Sequence, residues 1–167
     1  MEKVIRILDS FAERTGTVIA PLTLAIMVLT GVVVIARYVF HTGTVPLQES
    51  IVYLHGIVFM AGIGYTLKAG AHVRVDVFYS RFSTRTRAVV DLLGTLFFLV
   101  PVCAFITWTS IDYVSLSWSM REGSAEAGGL PALYLLKTLI PVMSILLFIQ
   151  GIAEFLRARA VLAGRRV

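Results

Sequence analysis

The sequence is short of charge and almost without cysteine. Asp, Glu, Lys and Arg make up 15% of its 167 residues, against about 25% in an ordinary soluble domain. That scarcity excludes a water-soluble enzyme and any charge-rich disordered chain. The single cysteine, Cys103, rules out an intramolecular disulfide and, lying in an apolar run, reads as inert packing. Histidines number three: His41, His55 and His72. No metal-spaced Cys/His cluster, paired carboxylates within an apolar run or Gly-rich phosphate loop is present. No catalytic, metal or cofactor site is therefore expected. A haem carrier would need facing axial ligands, and His55 alone lies in an apolar run. It reads as a hydrogen-bonded packing residue or a partner contact.

What the chain has is hydrophobicity, at 57% of residues and a mean hydropathy of +0.85. Residues 17–36, 51–67, 92–111 and 138–153 hold no Asp, Glu, Lys or Arg. At 1.5 Å per residue such runs reach about 24–30 Å, close to the hydrocarbon thickness of a bilayer. Backbone groups in lipid must be satisfied within the segment, so runs of this length are helices. A spanning barrel would need many short alternating strands. The connections, at 37–50, 68–91 and 112–137, are too short for a folded domain. The expected fold is an all-α membrane protein, one domain over 1–167, with four transmembrane helices at about 17–38, 50–68, 88–112 and 132–154.

Orientation follows from the basic residues. Lys3, Arg6 and Arg14 precede the first span. Lys68, Arg74, Arg81, Arg85 and Arg87 fill the middle connection, and Arg157, Arg159, Arg165 and Arg166 the tail; only Arg37, Arg121 and Lys137 lie in the other two connections. The positive-inside rule then puts both termini and an elbow at 69–87 in the cytoplasm, with an outer loop at 113–131. These charges read as topology signals and contacts to membrane lipids, not to nucleic acid. The first run is longer than a secretory h-region, and no small-residue cleavage site follows it, so it reads as a retained span.

Val4, Ile5, Leu8, Phe11 and Ala12 fall at helical spacing among Lys3, Arg6, Asp9 and Glu13. This predicts a short amphipathic helix lying on the headgroups before the first span. Ser83 is the expected N-cap of the third helix, which runs to about Trp118. Pro101 and Pro141 should bend the third and fourth helices. The second span carries Gly56, Gly62 and Gly64, small residues that permit close helix approach in lipid. Arg37 and Glu49 flank one short loop and form a candidate pair. Lys137 is either a snorkelling lysine or a salt-bridge donor to a carboxylate of another subunit. His72, Arg74 and Asp76 sit in the elbow, as a solvated headgroup layer or a docking surface.

Several segments together resemble the small membrane subunit of tripartite ATP-independent periplasmic (TRAP) transporters, the DctQ-like family. They are Arg37-Tyr38-Val-Phe40, Gln48-Glu49, the stretch His72 to Tyr79 with Ser83 after it, and Ser117-Trp118. Further on come Glu122-Gly-Ser-Ala-Glu126, Gly128-Gly129-Leu-Pro131, Leu136-Lys137, Ile140-Pro141 and Gln150-Gly151. The likeness covers about residues 5–157. Leu47-Gln48 departs from it, since many relatives carry Trp and a second acidic residue there.

The resemblance implies a non-catalytic scaffold in a three-part importer. A DctP-like periplasmic binding protein delivers an organic acid. A DctM-like large membrane subunit moves it on an ion gradient, usually sodium, and the small subunit widens the static part against which an elevator-like domain slides. The Gly-Gly-Leu-Pro and Leu-Leu-Lys variant is similar to a branch labelled for mannitol or chloroaromatic compounds, with carboxylates as the suspected substrates. Expected partner contacts are Arg37, Glu49, Gly56 and Gly62, then His72, Arg74 and Asp76 on the inner face. The outer loop would offer Glu122, Glu126, Gly128 and Gly129 to the binding protein, with Lys137 beneath it. The competing readings are a self-sufficient four-helix transporter and a membrane-anchor or redox subunit. Both are disfavoured, because no span carries a central charge or a haem-ligand pair.

Overall fold

The computed structural model describes residues 1–72 and 79–164, and among them every regular element is helical. Helix α1 is Glu2–Tyr38, α2 is Val45–Ala61 and α3 is Ile63–Lys68. Helix α4 is Thr84–Ser119 and α5 is Leu133–Leu162. Helices α1, α4 and α5, of 37, 36 and 30 residues, are each long and apolar enough to cross a membrane, while α2 is a shorter apolar helix. Gly62 between α2 and α3 keeps a right-handed helical conformation, and Thr66 N–H bonds its carbonyl at 3.0 Å. The two therefore form one rod over 45–68, about 36 Å long, beginning a few residues before the expected second span.

One expectation needs correction. The segment 3–14 is not a separate interfacial helix; α1 runs unbroken from Glu2 to Tyr38, through Gly16 and Pro21. Ile5 and Ala12 of its apolar stripe are buried against protein, while Val4 and Phe11 stay exposed. Gly16 allows the close approach: a Cβ there would lie 2.7 Å from the Tyr65 ring. The Ile5 and Ala12 side of the stripe that suggested a lipid surface is an intramolecular seam.

Local signals hold elsewhere. Ser83 caps α4, its hydroxyl accepting from Thr86 N–H at 3.2 Å. Proline 46 enters α2 in its first turn, where its missing N–H leaves no gap. Pro101 has a specific consequence. Its ring crowds the carbonyl four residues back, and the five residues Thr95–Leu99, ending two positions before it, widen into a π turn.

Helix α5 is the centre of the bundle and touches α1, α2, α3 and α4. The interior is built from small and polar residues: Ala88, Cys103, Ala153, Ala158 and Ala160, with Thr95, Ser110, Ser117, Ser144 and Gln150. Large apolar side chains such as Val18, Phe98, Phe105 and Trp108 point outward. A water-soluble fold inverts this order; helices that associate in lipid use small contacts and hydroxyl bonds. Between α4 and α5, Thr107 donates to Ser144 at 3.0 Å and Ser144 donates to the Cys103 carbonyl at 2.7 Å.

Candidate functional site

Polar chemistry concentrates at the two ends of the bundle. At the end bearing the 39–44 and 120–132 loops, Glu49 in the first turns of α2 accepts the Leu130 N–H at 2.6 Å and the Ser124 hydroxyl. The loop must fold tightly to bring both donors there. Gly128 has φ +76°, the left-handed region that favours glycine. At Gly129 a Cβ would lie 2.5 Å from Ser124 and 2.8 Å from the Glu49 carboxylate. The two glycines therefore shape the cradle around Glu49.

Beside it, Lys137 Nζ meets Glu122 Oε2 at 2.5 Å and lies 4.2 Å from the Tyr113 ring centroid. The hydrogen bond from this ammonium holds the Glu122 carboxyl below its ordinary range. Lys137 thus finds its carboxylate within its own chain. The sequence could not say which carboxylate it met, because Glu122 lies across a loop. Trp118 Nε1 donates to Thr138 at 2.8 Å, and its ring meets Tyr134 edge-on at 4.7 Å. Loop, α2, α4 and α5 are joined at this end.

At the opposite end, Arg157 binds Asp9 at 2.8 Å and Glu154 at 2.5 Å. The buried Gln150 donates to Asp9 at 3.0 Å. Lys68 pairs with Glu13 at 3.0 Å, tying α3 to α1. Sequence reasoning missed this cluster. Gln150-Gly151 entered only as part of the resemblance, and no local spacing links Asp9 to Arg157.

The remaining candidates fall apart spatially. Arg37 is exposed at the end of α1, and among the described residues no ion pair joins it to Glu49, whose partners come from the loop. Glu126 is exposed at the loop surface. Gly56 turns to Leu136 and Leu139 of α5, and Gly62 to Ile19 of α1, so both serve packing inside the chain. His72 is partly buried, with Nδ1 unpartnered. Arg74 and Asp76 lie outside the described residues. Metal-ligand groupings of three or more His, Cys, Asp or Glu are absent among the described residues.

Ends tied by ion pairs around an interior of small residues describe a membrane bundle without naming its role. The decisive observation is a family match: residues 26–160 fit the DctQ component of tripartite ATP-independent periplasmic transporters. The chain belongs to the DctQ family. No curated protein and no solved structure shows a significant likeness to it. The matched stretch contains Glu49, Glu122, Gly128, Gly129 and Lys137, so the loop-end cradle lies wholly inside the DctQ region. Asp9 and Glu13 precede it, whereas their partners Arg157 and Lys68 fall within it. As a DctQ component, the chain is part of a transporter complex and a membrane protein with several apolar helices.

Proposed function

We propose that this chain is the small, non-catalytic membrane subunit of a TRAP transporter in the bacterial inner membrane. It scaffolds a DctM-like large subunit that imports an organic acid, delivered by a DctP-like periplasmic protein, on an ion gradient such as sodium. Four spans, formed by α1, the α2–α3 rod, α4 and α5, leave both termini in the cytoplasm. The excess of basic residues at the terminal end and in the middle connection supports that orientation.

One observation carries the scaffold reading. Ion pairs among the described residues sit at the two ends of the bundle, and the runs 51–67 and 138–153 between them hold no Asp, Glu, Lys or Arg. A carrier coupled through carboxylates or basic side chains needs such charges along its path; a static wall needs fixed ends and close helix contacts. Candidate partner contacts on the loop side are Glu126, exposed above the Glu49 cradle, and Arg37.

Reconstitution tests this reading. The chain alone in liposomes should pass no substrate under a sodium gradient. Adding the large subunit and the loaded binding protein should give uptake, and omitting the small subunit should abolish it. Flux from the chain alone would refute the scaffold role.

A further inference from the structure

Exposed hydroxyls in the apolar helices are satisfied within their own helix. Thr23 donates to the Ala20 carbonyl at 2.6 Å, Thr30 to Ile26 at 2.7 Å and Thr109 to Phe105 at 2.9 Å. Such side chains can face hydrocarbon with no polar group left over. His55 is different. It is exposed on α2, its ring is stacked on Phe59 with centroids 6.4 Å apart and planes 14° apart, and it makes no hydrogen bond to any described residue.

Its depth makes this costly. Along the 45–68 rod, His55 lies six residues from Glu49 and thirteen from Lys68, about 9 and 20 Å. Glu49 fixes the rod at the loop end and Lys68 at the terminal end. The imidazole is thus inside the charge-free run 51–67, nearer its loop end, where an N–H donor and a ring-nitrogen acceptor facing acyl chains would stay unsatisfied. Val52 and Phe59, 59% and 66% exposed, share its face at i−3 and i+4. Gly56, the next residue, turns instead to α5. The stripe is therefore apolar and interrupted by one hydrogen-bonding ring.

We infer that the Val52–His55–Phe59 face of α2 is the seam on which a transmembrane helix of the large subunit packs. That helix presents a hydroxyl, carboxamide or carboxylate side chain opposite His55. The inference rests on the small-subunit reading above and adds the surface and the chemistry of its partner. Lipid tails fit the apolar positions but offer nothing to the imidazole.

The test co-expresses the chain with its large subunit and purifies through a tag on the chain. His55→Leu keeps bulk and removes both ring nitrogens, so recovered large subunit should fall by about tenfold. His55→Gln, which restores a donor and an acceptor, should return most of it. Thermal melting of each isolated variant should stay close to the parent, because His55 is exposed and makes no hydrogen bond or ion pair to another helix among the described residues. A photo-reactive residue replacing Val52 should cross-link to the large subunit. Undiminished recovery with His55→Leu, or cross-links to lipid alone or to a second copy of this chain, would overturn the inference while leaving the scaffold reading intact. If the unmodified chain recovers no large subunit, the scaffold reading itself falls, and the seam with it.

Discussion

Asp9 and Arg157 meet at 2.8 Å across 148 residues of chain, closing the first helix onto the last. The guanidinium also holds Glu154, so one cation neutralises two carboxylates beside the buried Gln150. Removing it leaves like charges facing each other. Arg157→Gln should destabilise the purified chain by about 1–2 kcal/mol, between exposed pairs and hydrogen bonds to buried charges. Thermal melting in detergent reads the loss, and adding Asp9→Asn should recover part of it.

Gly129→Ala should cost more than its single methyl suggests. The new Cβ would press on Ser124 and on the carboxylate of Glu49, so the loop must shift and lose the bonds that hold it. A drop of about 1–3 kcal/mol is expected. Gly31→Ala is the matched control, since nothing lies within 4 Å of its Cβ position. It should leave the melting temperature unchanged or raise it, alanine being favoured in helices by about 0.5–1 kcal/mol.

Acid should loosen the loop end through Glu122. Its carboxyl is held below the ordinary value of 4.5 by the hydrogen bond from Lys137. A group depressed in the folded state stabilises above its unfolded pKa, and the contribution is lost as pH falls through the lower folded value. Melting temperature followed from neutral pH to about pH 3 should show this acid limb. Glu122→Gln should be less stable at neutral pH and should flatten the limb.

Gly64→Leu should separate α3 from α5 even without any partner. A Cβ there would sit 3.3 Å from the Leu146 carbonyl, a backbone atom that cannot swing away. Overpacking of this kind costs about 1–3 kcal/mol, read as a lower melting temperature of the isolated chain. Gly56→Ala should be milder, because the 2.9 Å contact is with the mobile end of Leu136.

Much of the architecture was legible because its causes are local. Apolar runs of bilayer length gave the long helices. Ser83 marked a helix start, and Gly128 and Gly129 marked a turn. What could not be read was which side of each helix looks inward. Helices meant for lipid are apolar all round, so pattern alone does not separate Phe98, which faces out, from Cys103, which faces α5. The same blindness made the stripe at Ile5 and Ala12 look like a lipid face. Long-range ties such as Leu130 to Glu49, 81 residues apart, leave no trace in spacing. From sequence, Lys137 is expected to snorkel or to meet a carboxylate of another subunit; its partner, Glu122, lies in its own chain and required the loop to fold first.

The buried positions along α4 are Ala88, Thr95, Cys103, Ser110 and Ser117, separated by seven residues except for one step of eight. That longer step begins within the wide turn at Thr95–Leu99. Elsewhere in the helix, cutting out one residue would swing everything beyond it by about 100° and carry its buried row off α5. Inside the wide turn the same cut converts eight to seven and keeps both halves in phase. Helix α4 therefore carries one dispensable residue, and its loss there should turn the wide turn into an ordinary one, leaving its seam aligned and its length nearly unchanged.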